Sequence, residues 1–375
     1  MKTNVQFPNM EKQTSTPRFT HSAIDDRHFK NLRTEIQKAL EQLPSHRKYY
    51  PLLKAFLLPA LYFTLFFFSL QQTHYIPFFV LYLSMGVAVV FIFINLIHDA
   101  CHYTLFQKNR KANEWYMLVF DLLGANSFIW RKRHVRLHHN YPNIAGWDSD
   151  IEKSDFLKVH PNDKSKEAGP LKKFLVILYP LFVLNWFLIR DFRDYFTSNT
   201  LVRKIGAIPK IEYVKLLFFK LLYLAMMVGV PVWLTPFTLV QVLLALLGLM
   251  MMAGLFGLVI LLPPHVNTYS QFPVASDDMD VEHSWLYHQL VTTNDVNLNN
   301  WFSRHLMANF NYHLIHHLFP KLSYVYAAEA TMALRKYCLE NDLPYRSISL
   351  FRALTAHFQL IFRNQVEFDI FENEM

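Results

Sequence analysis

Two stretches of this chain carry no charge over a length that an ordinary core helix does not need. Residues 76–97 read IPFFVLYLSMGVAVVFIFINLI, and residues 237–262 run from Phe237 to Leu262 without one Lys, Arg, Asp or Glu. A helix crosses the hydrocarbon of a bilayer with about 20 mostly apolar residues. Two further blocks approach that pattern. Residues 52–71 contain AFLLPALYFTLFFFSL after Lys54, and residues 213–234 carry only Lys215 and Lys220, near their start, where long side chains can snorkel to the interface. The expected fold class is an all-α membrane protein. Its four transmembrane helices are expected over about 52–71, 76–97, 213–234 and 237–262, paired as two hairpins.

Charge then assigns sides. The short turns Gln71–Tyr75 and Thr235–Pro236 hold no Lys or Arg, whereas residues 1–50, 98–212 and 263–375 hold essentially all the basic charge. The positive-inside rule places both termini and both long segments in the cytoplasm. There, residues 98–212 and 263–350 are expected to form a helical cap. Phe174–Ile189 is 16 residues long, contains Pro180 and Asn185, and is flanked by Lys172, Lys173, Arg190 and Arg193. It is expected to lie in the interface rather than to span. The first apolar run starts near residue 52, so no signal peptide is expected. Residues 1–50 read as a tail followed by an amphipathic helix on Phe29, Leu32, Ile36 and Leu40, and residues 351–375 as a C-terminal cytosolic helix. With 52% apolar and 18% charged residues, general disorder is excluded. The net charge of +8 gives nucleic-acid binding no support beyond charge itself. Cys101 and Cys338 cannot build a disulfide scaffold and form no Cys-x-x-Cys, so both are read as reduced thiols.

Eighteen histidines remain to be explained, and eight fall in three tight clusters: His98 and His102; His134, His138 and His139; His313, His316 and His317. On a helix, residues three or four apart share a face, so each cluster can present at least two imidazoles in one direction. His265, directly after the fourth apolar block, is a ninth candidate. One zinc takes four ligands, so eight or nine imply two ions with four or five each. Imidazole suits Zn, Cu, Fe and Ni alike. No His-Glu-x-x-His or Glu-x-x-His occurs, which removes the common zinc-protease and the carboxylate di-iron bundle patterns. A haem-type electron-transfer protein would place paired histidines inside the spans; here they fall just beyond the spans' cytosolic ends. Asp99 is a candidate second acceptor that orients a ligand ring.

These residues resemble the membrane-bound fatty acid desaturase superfamily, over about residues 50–345. The likeness is carried by His98-Asp-Ala-Cys-His102, by Trp130 ahead of His134-Val-Arg-Leu-His138-His139-Asn-Tyr-Pro-Asn143, and by Gly146-Trp-Asp-Ser-Asp-Ile151. Near the C-terminus it continues through Trp285-Leu-Tyr-His-Gln289, Thr292-Thr293 and Asn311-Tyr-His-Leu-Ile-His-His-Leu-Phe-Pro320. The chain looks most like the bacterial acyl-CoA and acyl-lipid desaturases, which implies a bacterial inner-membrane enzyme with a cytoplasmic active site. The resemblance implies a non-haem di-iron centre whose ligands match His98, His102, His134, His138, His139, His313, His316 and His317, with His265 as the extra ligand. It further implies O₂ as co-substrate and an acyl chain, linked to CoA or lipid, that gains a C=C bond. A lipid or carotenoid hydroxylase of the same superfamily is the alternative outcome. The chain departs from the front-end members at His313, where they carry Gln, and at Ile315, where they carry Glu. No His-Pro-Gly-Gly of a fused cytochrome b domain occurs. Electrons are therefore expected from a separate donor, such as ferredoxin or a cytochrome b-type protein with its reductase. Arg131, Lys132 and Arg133, directly before the second cluster, are candidates for binding an acidic headgroup, CoA phosphates or an acidic donor.

Overall fold

The computed structural model describes residues 16–107, 109–151, 161, 179–198 and 200–363. The first 15 residues of the expected tail, residues 174–178 of the expected interfacial stretch and residues 364–375 of the expected C-terminal helix lie outside the described residues.

Four helices are long and apolar enough to cross a membrane: α2 (Ser45–Ser69), α3 (Tyr75–Cys101), α5 (Lys210–Leu234) and α6 (Leu239–Leu261). Each agrees with one apolar block. The N-terminus of α6 is set by a capping box in which the Thr238 and Gln241 side chains satisfy each other's backbone N–H. The four helices are not equivalent. In the most apolar 18 residues of each, 61% of those in α3 and 56% in α6 are buried, against 11% in α2 and 28% in α5. The inner pair packs together, α2 lies along α3, and the outer helices turn Phe56, Phe67, Phe218 and Leu221 outward. Gly86 sets the approach of the inner pair, since a Cβ there would lie 2.4 Å from the Leu249 carbonyl oxygen.

Lys215 and Lys220 differ from the expectation that both snorkel. Lys215 pairs with Glu212 at 3.0 Å, whereas Lys220 is buried and its Nζ lies 2.9 Å from Asp191 Oδ2. A charge buried at that depth is tolerable because a counter-ion and the Gly124 carbonyl, 2.7 Å away, replace its water.

The remaining segments gather around the ends of α3 and α6. α1 (Ala23–Glu41) is capped by Ser22 and buries Leu32 and Ile36. It packs on α9 (Ala327–Glu340) and in one apolar cluster with Leu314, Ile315 and Leu318 of α8 (His313–Leu318). Within the described part of 174–189, Tyr179–Leu181 and Phe182–Asn185 are short broken helices and Trp186–Arg190 is a π turn, all packed on or near α6, and no span forms. The all-α expectation needs one amendment. Two short parallel strand pairs occur: β1 (Arg18–Phe19) with β2 (Asp280–Val281), and β3 (Asp295–Asn297) with β4 (Ser347–Ser349). They pin distant segments, the second bringing the start of α10 (Leu350–Arg363) beside the approach to α8.

Candidate metal centre

The first histidine pair lies at the end of α3, so His98 falls inside the helix rather than beyond it. A π turn, Phe93–Ile97, directly precedes it, a widening often found at functional sites. The α pitch then returns, and the rings of His98 and His102 sit 5.2 Å apart.

The second cluster departs from the expected spacing rule. α4 (Ser127–Arg131), capped by the Asn126 side chain, passes straight into a π turn over Lys132–His138. The N–H of His139 donates to the carbonyl of His134 at 3.0 Å, an i→i+5 bond. His134 and His139 therefore point together, with Nε2 atoms 3.1 Å apart, whereas His138, whose ring stacks 5.7 Å from that of His134, lies with His265, His313 and His317. Trp130 stacks on His134 at 4.9 Å. In the third cluster α8 keeps ordinary pitch. His313 and His317 share one side and His316 takes the other. The start of α8 is held by Asp295, whose Oδ1 accepts from Leu314 N–H and whose Oδ2 accepts from the Tyr345 hydroxyl, both at 2.8 Å.

All nine candidate histidines converge, in two groups. His98, His102, His134, His139 and His316 form one, and His138, His265, His313 and His317 form the other; within each group the ligand atoms lie within 4.8 Å of one another. In the first, successive Nε2 atoms of His102, His134, His139 and His316 are 3.1, 3.1 and 3.0 Å apart. Two nitrogens about 2.1 Å from one ion, at right angles, would be about 3.0 Å apart. In the second group, His265 lies 4.5 to 4.6 Å, ring to ring, from His138, His313 and His317.

The donor set fits two metal ions. Nε2 of His98 and of His317 and Nδ1 of His313 are buried with no hydrogen-bond partner among the described residues. Leaving such atoms unmatched is costly, and a cation between the rings would satisfy them. Burial, reinforced by the neighbouring imidazoles, holds His102, His134, His139, His313, His316 and His317 well below the ordinary histidine range. The rings are therefore neutral, the state in which a nitrogen can ligate.

Two side chains not singled out from the sequence orient these rings. His138 Nδ1 lies 3.0 Å from Asp148 Oδ1, and His317 Nδ1 lies 3.1 Å from Oε1 of Gln289 on α7 (Trp285–Thr292). Each fixes a tautomer that leaves Nε2 facing inward. Gln289 also donates to the His139 carbonyl at 3.3 Å, tying the second cluster to the third. Both residues lie in motifs quoted above; only the spatial arrangement gives them a role. Asp99 instead accepts from the Ser323 hydroxyl at 3.1 Å. Its carboxylate lies near Lys54 and not against an imidazole among its hydrogen bonds. The three basic residues separate as well. Arg133 is buried and paired with Asp194, and lies 3.7 Å from Asp191, so it is not available to a surface partner. Arg131 stacks over Tyr103 at 4.3 Å, and Lys132 donates to the Gly206 carbonyl at 2.8 Å; both remain partly exposed.

A cleft of about 870 Å³ opens against both groups, reached by His98, His134, His138, His265 and His313. A second, mainly apolar slot of about 720 Å³ lies between α3, α6 and residues 182–187. Phe93, Phe182, Trp186 and Leu261 line both, so the two are adjoining.

Comparison with known proteins gives this geometry a context. The family model described as fatty acid desaturase matches residues 73–349. An sn-1 linoleoyl-lipid 6-desaturase of Synechocystis sp. is 26% identical over 274 residues, covering 72% of this chain and 76% of that protein. An acyl-lipid (8-3)-desaturase of Physcomitrium patens is 29% identical over 285 residues, covering 74% and 58%. An acyl-lipid (8-3)-desaturase of Mortierella alpina is 25% identical over 283 residues, covering 73% and 62%. The chain thus spans under two thirds of the last two relatives. Because the family match takes in all three histidine clusters and most of the described residues, this chain is a member of the fatty acid desaturase family.

Proposed function

We propose that the chain is an O₂-dependent di-iron desaturase that places a C=C bond in an acyl chain carried by CoA or lipid. The observation that carries this reading is the adjacency of two imidazole groups, one cleft and one apolar slot. Removing hydrogen from an unactivated methylene needs an oxidant that no side chain supplies, and two irons with O₂ and two electrons supply it when bound. In this reading His98, His102, His134, His139 and His316 hold one iron and His138, His265, His313 and His317 the other. Asp148 and Gln289 aim two of these rings. The walls of the slot keep water out and hold the acyl chain extended toward the cleft, so that one pair of vicinal methylenes meets the centre.

The reading extends to topology. The spans form two hairpins, α2 with α3 and α5 with α6, in a bacterial inner membrane; both termini and the cap lie in the cytoplasm, in keeping with the basic charge there. Residues 51–350 make up the desaturase domain, preceded by a tail and α1 and followed by the C-terminal helix. The electron donor is a separate protein, and Arg131 and Lys132, unlike Arg133, are placed to meet an acidic surface on it or on the substrate headgroup.

The test is expression in a host with simple lipids and a supplied donor, followed by fatty-acid profiling with His316→Ala beside the wild type. New unsaturated chains are expected from the wild type alone. Identical profiles for the two proteins would refute the proposal, and a product heavier by one oxygen would replace desaturation by hydroxylation.

A further inference from the structure

The junction between cleft and slot is built around Trp186. It lines both spaces and packs edge-on against Phe120, 6.1 Å away. The π turn Trp186–Arg190 brings residues 186 and 191 to one face, as the bond from Asp191 N–H to the Trp186 carbonyl records. The indole Nε1–H then donates to Asp191 Oδ1 at 3.0 Å. Asp191 is fully buried, and its charge is matched by Lys220 of α5 at 2.9 Å and by Arg133 at 3.7 Å. Arg133 is the residue next to His134. One carboxylate therefore ties the wall of the slot to a membrane helix and to the turn that carries two candidate ligands. Held at its N–H by Asp191 and against Phe120 at its edge, the ring has a set orientation at this junction.

Resting on the acyl-desaturase reading, the geometry points to Trp186 as the residue that sets the register of the acyl chain, and so the position of the double bond, with Asp191 as the group that positions it. The ring is the step at which the chain leaves the apolar slot and enters the cleft. A misplacement of about 1 Å, the scale of one methylene step, costs about a hundredfold in rate. A fixed ring at this point excludes neighbouring methylenes on that scale, and a mobile or missing ring admits them.

Two variants of the full chain test this. Trp186→Ala removes the ring; Trp186→Phe keeps most of the bulk and loses the N–H. Products are mapped by mass spectrometry of derivatised double bonds. The share of displaced isomers is expected to rise about tenfold or more in Trp186→Ala, with Trp186→Phe between it and the wild type. If the alanine variant does not accumulate, the phenylalanine variant decides alone. A second measurement needs no turnover. Acyl chains brominated at successive carbons are bound to the metal-free protein, and the fluorescence quenching lost in Trp186→Phe is plotted against bromine position. A peak close to the carbons that become the double bond is expected. A folded variant that keeps the wild-type isomer, or a quenching profile flat along the chain, would overturn the assignment. A wild type that leaves host lipids unchanged overturns the desaturase reading instead; there a sharp bromine peak at one carbon still fixes Trp186 against the chain, and a flat profile still removes it.

Discussion

Asp148 offers a sharp test of the two-group arrangement, because its effect should fall on one ion and spare the other. Its carboxylate is fully buried, 3.0 Å from His138 Nδ1. It is held from behind by the N–H groups of Asn143, on Oδ2, and Asp150, on Oδ1, both at 2.8 Å. It is thus a fixed acceptor that sets the tautomer and aim of His138. His138 belongs with His265, His313 and His317, not with the five-histidine group. Loss of such an orienting partner typically weakens a metal site about 10–100-fold, which corresponds to roughly 1.4–2.8 kcal/mol. Asp148→Ala should therefore lower affinity at the four-histidine group by that factor. The assay is iron per chain by elemental analysis after dialysis against chelators of graded strength, with Mössbauer spectra to show which environment survives. At a strength where the wild type holds two irons, the variant should hold about one. Retention of both, or loss of both together, would refute the reasoning.

Three further outcomes follow from the same geometry. The buried imidazoles sit below the ordinary histidine value of about 6.5, so the folded metal-free protein resists protons that the unfolded chain accepts. Its stability should be full above pH of about 6.5 and fall as pH drops below it; a melting temperature that is flat from pH 8 to 5 in detergent would contradict this. Lys220→Met leaves Asp191 buried with Arg133, 3.7 Å away, as its remaining ion-pair partner among the described residues. Breaking a buried pair in this way should cost about 3–5 kcal/mol, read as a fall in thermal stability, and unchanged melting would show that the pair is dispensable. Gly257 lines the apolar slot, and a Cβ there would meet the Phe182 ring at 3.4 Å, an ordinary van der Waals contact. Gly257→Leu should be accepted by the fold and shorten the slot, shifting products toward shorter chains; an unchanged chain-length profile would remove the slot as the acyl site.

Much of this architecture was legible because its causes are local. An uncharged apolar run has one economical home, and all four expected spans appear, each shifted by a few residues. The three histidine clusters were legible for the same reason: the spacing of imidazoles survives folding. The division of the nine rings was not. An i,i+4 rule puts His134 with His138, yet the π turn over Lys132–His138 pairs His134 with His139, and no side chain in that turn announces the wider pitch. Asp148 and Gln289 escape sequence reading because their bonds to His138 and His317 join residues 10 and 28 apart in the chain, outside any helical or strand repeat. Lys220 looked like an interfacial cation, since its partner Asp191 lies 29 residues away, beyond any sequence window. Adjacency groups Arg133 with Arg131 and Lys132, whereas the turn that carries it sends its side chain inward to Asp194.

The two imidazole groups do not rest on separate supports. The π turn sends His134 and His139 to one and His138 to the other, and α8 divides His316 from His313 and His317 in the same way. In the proposed centre, the distance between two bound ions would be set by the pitch of these two short backbone segments. Tilting or sliding either segment would disturb both coordination spheres at once. Tuning such a centre ion by ion would fall to side chains outside the shared backbone, whereas the spacing between the two sets of imidazoles is inherited as a single rigid dimension.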